Sequence, residues 1–140
     1  MANRAFRFVE ATQNKLILLP LILTGGGSSN PLVLGEGDPN GTFFSAPAWS
    51  STGVYTFNTM DSWAGTPNVQ IAYQAASAAA NTIAFCAPPV QATATAPITG
   101  VPTGAWQFTL STFTAGSLAD VATSGQIALQ IAIRNSGDTT

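Results

Sequence analysis

The 140-residue chain has no histidine, one cysteine, and only ten charged side chains, four Lys+Arg and six Asp+Glu. Each shortage closes a class of function. With no histidine, and with Cys86 alone, there is no Cys/His zinc site, no His-based triad or acid–base pair, and no disulfide framework within one chain. Arg4, Arg7, Lys15 and Arg134 are all the cations present, too few for a basic stripe that follows nucleic-acid phosphates. No apolar run approaches the roughly 20 residues of a membrane-spanning helix. The longest, Leu16–Leu23, is broken by Pro20. The expected partners therefore include neither nucleic acid nor membrane.

Charged residues are 7% of the chain, against about 25% in an ordinary domain. Not one lies between Asp61 and Asp120, while Ala, Thr, Gly and Ser supply 65 of the 140 residues. A soluble monomer usually keeps about a quarter to a third of its surface charged. Small neutral side chains cost little entropy to immobilise and little desolvation to bury. The composition thus implies a subunit whose faces pack against other protein, in preference to a Thr/Ser-rich β domain whose neutral face stays wet. Hydrophobic residues reach 46%, which excludes a disordered chain. At this length residues 1–140 form one domain able to bury about two-thirds of its unfolded surface.

Strand signals dominate. Gln126–Arg134 alternates Ile127, Leu129, Ile131 and Ile133 with Ala128, Gln130, Ala132 and Arg134. Trp106, Phe108 and Leu110 alternate with Gln107, Thr109 and Ser111, and Val69, Ile71 and Tyr73 with Gln70, Ala72 and Gln74. Val54–Phe57 and Thr82–Cys86 are further β-prone runs, and Leu16–Leu23 reads as a buried strand with Pro20 at a bulge or an edge. That last run follows Arg4, Arg7 and Lys15 as a secretory signal would, but Glu10 and the polar Thr12–Asn14 argue for a strand. Turn clusters at Gly25–Pro31, Gly35–Gly41, Thr66–Asn68 and Pro97–Gly104 separate the strands. The expected fold is all-β: a β-sandwich or jelly-roll-like single domain. An N-terminal arm (residues 1–12), an extended Pro/Ala/Thr loop (90–104) and one or two short helical turns complete it, with Ala75–Asn81 able to form a helical turn and Ser117–Asp120, within Ala115–Ser124, a short helix or a wide loop.

Little in the sequence points to chemistry. Glu36, Asp38 and Asn40 are spaced like the first half of a calcium loop, but Pro47 stands where the bidentate Glu belongs, so a polar turn is expected and no metal. The six carboxylates lack the charged neighbours that tune acid–base pairs, and a Ser or Thr nucleophile would have only Lys15 as base. Cys86, in an apolar strand, reads as inert core filling. No catalytic residue and no cofactor is expected, and the chain reads as non-enzymatic. The aromatics are the candidates for partner contact. Phe6 and Phe8 share one face of the arm, and of the adjacent Phe43 and Phe44 one must point outward from a strand. Trp49 and Trp63 lie in turn-rich surroundings, where they could build a binding face, including a sugar-stacking platform, whereas Trp106 and Phe108 read as core.

The order of these features resembles small β-rich structural proteins of tailed-bacteriophage particles, of the capsid cement or decoration type. The likeness rests on Phe6–Arg7–Phe8, the apolar strand Leu16–Leu23, Ser29–Asn30–Pro31, Gly35–Glu36–Gly37, and Ser51–Thr52–Gly53–Val54–Tyr55–Thr56. It continues through Trp106–Gln107–Phe108–Thr109–Leu110, Ala119–Asp120–Val121 and Arg134–Asn135–Ser136. The resemblance implies a non-enzymatic homo-oligomer, a trimer being favoured, that sits on the exterior of the virion's capsid and contacts the major capsid protein and copies of itself. Placement as a tail, neck or head-fibre subunit, or a role as a carbohydrate-binding β-sandwich module, are the alternatives.

Overall fold

A computed structural model describes residues 16–62, 67–74, 82–91 and 104–134. They form ten strands: β1 (Leu16–Thr24), β2 (Val33–Leu34), β3 (Ala48–Ser51), β4 (Val54–Ser62), β5 (Asn68–Gln74), β6 (Thr82–Cys86), β7 (Val90–Gln91), β8 (Ala105–Thr114), β9 (Ser117–Leu118) and β10 (Gln126–Arg134). All pairings are antiparallel. One sheet has the order β2-β1-β10-β5; the other runs β3-β4-β8-β6, with β7 and β9 also paired to β8. The expected all-β sandwich is what the chain adopts.

The path is that of a jelly roll. A long hairpin pairs β1 with β10 and β4 with β8. Rolling it up sets β5 beside β10 and β6 beside β8, so the chain changes sheet between β1 and β4, β4 and β5, and β5 and β6. Side chains alternating inward from both sheets make the core. Leu21, Leu23, Ile127, Leu129, Ile131 and Ile133 come from the first sheet, and Tyr55, Phe57, Phe108 and Leu110 from the second. Phe57 and Phe108, in register on neighbouring strands, stack with centroids 4.9 Å apart and planes 13° apart. Phe44 meets both edge-on at 5.8 and 6.2 Å.

Pro20 sits where an edge tolerates it. Ile22, two residues on, donates its N–H to Glu36 O (2.8 Å) and accepts from Gly35 N (2.7 Å), so even positions of β1 face the β2 side and odd ones face β10. Pro20 therefore removes no bond from the β1–β10 ladder, and Gly37, at φ +100°, lies so close that a Cβ would collide with the Pro20 carbonyl oxygen.

The short helix or wide loop expected at Ser117–Asp120 is corrected to a strand. Ala115 and Gly116 both have positive φ (51° and 82°), the geometry of a two-residue hairpin turn, and Ser117–Leu118 return as β9 against Phe113 and Thr114. A strand pairing satisfies this backbone where one helical turn could not. Ala75–Asn81 lies outside the described residues. Of the expected 90–104 loop, Val90–Gln91 pair with Trp106 and Gln107, and residues 92–103 lie outside the described set.

Candidate interaction surface

Four ionisable carboxylates have described side chains, and two of them are turned onto the chain's own backbone. Asp38, 3% exposed, accepts Thr42 N at 2.7 Å and Phe43 N and Phe44 N at 2.8 Å each. It closes the 38–44 loop as an Asx-type cap, so the Glu36–Asp38–Asn40 spacing serves a turn. Asp120 ties three loops together. Its Oδ1 accepts Gly53 N (2.7 Å), Trp49 Nε1 (3.0 Å) and Tyr55 Oη–H (3.4 Å), and its Oδ2 accepts Ser29 N (2.8 Å). Tyr55 Oη in turn accepts Val121 N at 2.9 Å. Partial burial works to raise the Asp120 pKa, but these hydrogen bonds outweigh it and hold the carboxyl below its ordinary value. Ser29, at φ 56°, is held in a left-handed conformation where this contact helps fix it.

Only Glu36 and Asp61 remain as exposed charges among the described side chains. Among the described side chains, the in-register rows on the outer faces of both sheets carry no charge. On the four-stranded sheet the in-register rows read Ile22–Ala128–Ala72, Pro20–Gln130–Gln70 and Leu18–Ala132–Asn68. On the six-stranded sheet they read Leu118–Phe113–Ile83, Val54–Ser111–Phe85 and Thr56–Thr109, ending at Asn58–Gln107–Val90. One end of this second face is apolar. Ile83 is 53% exposed, Phe85 54% and Leu118 44%, and Phe85 meets Phe113 edge-on at 5.9 Å. An antiparallel sheet with one wet face normally alternates hydrophobic-in with polar-out; here large hydrophobes point both ways.

The expected contact residues separate. Phe43 is 41% exposed, as the adjacent-Phe argument requires of one of the pair. Phe44 is corrected: it is 1% exposed and lies in the core, bridged to Thr59 and packed on Phe57 and Phe108. Trp49 is more enclosed than its turn-rich surroundings suggest. Paired with Tyr55 on the inner side of β4, it packs half-buried against the core and spends its indole N–H on Asp120. Phe6, Phe8 and Trp63 lie outside the described residues. Sequence reading missed the Ile83–Phe85–Phe113–Leu118 cluster, although its signal was present. Continuing the β8 alternation through Trp106, Phe108 and Leu110 puts Phe113 on the opposite face.

Two other features lie apart from this face. An open cleft of about 670 Å³ at one end of the sandwich is lined by Pro31, Leu32, Leu34, Phe44, Pro47 and Met60, with no ionisable group. Cys86 lies in β6 with its thiol against the Ala87 carbonyl, and burial pushes its pKa to about 11. Native-state alkylation at neutral pH is expected to run about a hundredfold slower than after unfolding, because only the thiolate reacts. Equal rates in a thiol-labelling time course would show that Cys86 is open. Among the described residues no three His, Cys, Asp or Glu side chains gather as metal ligands, and no helix is long and apolar enough to cross a membrane. Comparison with protein-family models, with curated proteins and with solved structures gave no match.

Proposed function

We propose that the chain is a non-enzymatic structural protein of a bacteriophage virion, a cement or decoration subunit that sits on the capsid exterior and binds the major capsid protein and further copies of itself. The observation that carries this reading is the outer face of the six-stranded sheet, where Leu118, Phe113, Ile83 and Phe85 form an apolar cluster with no charged residue in any row. Exposed apolar clusters of this kind mark contact with other protein. The jelly-roll path supports it by fold analogy alone, since capsid domains and lectins both use it. Between those two, the inward Trp49 and the 7% exposed Trp106 favour a structural role over sugar stacking. Residues 1–12, with Phe6 and Phe8, are proposed as a second anchor.

The mechanism is mass action. A subunit that binds only the assembled lattice stabilises it by RT ln(1 + [L]/Kd), about 2.7 kcal/mol at a hundredfold excess over Kd. Clustering the subunits multiplies the effect through effective concentration. Because the contact is apolar, binding is expected to survive about 1 M NaCl, where exposed charge pairs are screened beyond roughly 3 Å. A charge placed on the row, Leu118→Glu, is expected to reduce occupancy on purified particles tenfold or more with little change in thermal stability. Absence of the chain from virions by mass spectrometry, or its release by salt alone, would overturn the proposal.

A further inference from the structure

The outward-facing cluster runs to a sheet edge that nothing covers among the described residues. Among the described residues β6 pairs with β8 on one side, and no strand pairs with its other side. In the rolled hairpin this is the place beside the fourth strand where a further strand would sit. The direction of its free backbone groups follows from two hydrogen bonds. Ala87 N, one step beyond the Cys86–Leu110 pair, donates to Thr109 O at 2.9 Å, so Ala87, and by alternation Phe85 and Ile83, turn toward β8. Thr112, opposite Ala84, confirms the phase: its N–H donates to Gly53 O (2.8 Å) and its C=O accepts Ala119 N (3.0 Å), both on the side away from β6. Thr82, Ala84 and Cys86 therefore present their N–H and C=O groups outward.

Natural edges are guarded by lysines, inward charges, prolines or bulges. This one has none of them over its five residues; Pro88 and Pro89 end it instead. We propose that two copies of the chain pair antiparallel through β6 about a two-fold axis at Ala84, Ile83 of one copy facing Phe85 of the other. This rests on the reading of the chain as a self-associating subunit, names the contact, and puts an even-numbered assembly in place of the trimer that the resemblance favours.

The occupant is a second copy because the strand is self-complementary. A two-fold contact brings each surface against itself, which a charged strand resists through like-charge repulsion and this one does not. Ala84 meets Ala84, Thr82 meets Cys86, and these pairs exchange the outward N–H and C=O groups in narrow hydrogen-bonded pairs. On the outer face the Ile83–Phe85 pairs are β-branched against aromatic, a favourable cross-strand combination. The row Leu118–Phe113–Ile83 then continues into Phe85 of the second copy, and both apolar ends merge into one band across the axis.

The test uses the full chain with Cys86→Ala. Oxidising a mixture of I83C and F85C proteins is expected to give the mixed disulfide dimer, whereas each alone gives little, because like positions lie two residues out of register. Ala84→Pro is the second variant. The β6–β8 ladder does not use the Ala84 N–H, so the fold survives, as edge positions allow, while self-pairing loses its central bond. Analytical ultracentrifugation is expected to show the wild-type dimer, or an even-numbered assembly, and its loss in Ala84→Pro. A wild-type monomer, an assembly indifferent to Ala84→Pro, or no mixed disulfide would overturn the inference, the outcome expected if this chain's own residues 92–103 cover the edge. Virion occupancy is scored separately: dimers that never enter particles sink the capsid role and leave the contact standing, and monomers that bind particles do the reverse.

Discussion

Replacing Asp120 by Ala is expected to cost about 3 kcal/mol of unfolding free energy, read as a fall in the denaturation midpoint at unchanged slope. The carboxylate is the shared acceptor for Gly53 N, Ser29 N, Trp49 Nε1 and Tyr55 Oη–H. Ala removes all four contacts at once. Ser29 is exposed and recovers water, but Gly53 is buried, and an unpaired buried donor costs roughly 1–3 kcal/mol. Asn at the same position keeps one oxygen acceptor and is expected to lose about half as much. The same node sets an acid limit. A carboxyl whose folded pKa lies below its unfolded value near 3.8 contributes stability that is fully present above that value and is lost as pH falls through the folded one. Wild type should therefore destabilise below about pH 4 more steeply than Asp120→Ala, and parallel acid profiles would show that the carboxylate does not hold the loops.

Gly53 explains why the node needs its glycine. It has φ +68°, donates to Asp120 and accepts from Thr112 N, and a Cβ there would come within 2.6 Å of Thr112 O and 2.7 Å of Ala119 N. Neither constraint is visible in Ser51–Thr52–Gly53–Val54 read alone, because Asp120 lies 67 residues away.

What the sequence made legible divides along the same line. Period-two alternation is local, so β10, β8 and β5 could be read directly, and with them the inner halves of both sheets. That alternation puts Trp106 and Phe108 in the core, where they lie. The roles of Trp49, Phe44 and Asp120 are decided by partners 71, 13 and 67 residues away, in the contacts Trp49–Asp120, Phe44–Phe57 and Gly53–Asp120. Turn-rich surroundings suggested that Trp49 was exposed; a distant carboxylate turned it inward. Ser117–Asp120 failed for a different reason. Its composition is compatible with a helical turn, but positive φ at Ala115 and Gly116 sends the chain back along β8 before a helix can start. The charge deficit was legible in number and not in placement. Two of the four described carboxylates are consumed by backbone amides, which leaves the faces more neutral than the composition itself implies.

With so little electrostatic support, the cohesion of the sandwich must come from its interior, and Phe57→Ala should expose this most sharply. Phe57 has no exposed surface, stacks on Phe108 at 4.9 Å and receives Phe44 edge-on at 5.8 Å. Truncating it removes a large apolar surface, breaks two aromatic pairs and leaves a cavity walled by β-strands that are hydrogen-bonded on both sides and cannot collapse inward. The expected loss is about 4 kcal/mol, a large share of the roughly 5–15 kcal/mol that holds a domain folded. Phe57→Leu, which keeps most of the volume, should lose about 1.5 kcal/mol. Neither loss should depend on salt, because no charge is involved. A Phe57→Ala chain that unfolds within 1 kcal/mol of wild type would mean that Phe44 and Phe108 close the gap between them, and that the aromatic trio is filler for the sandwich and not its centre.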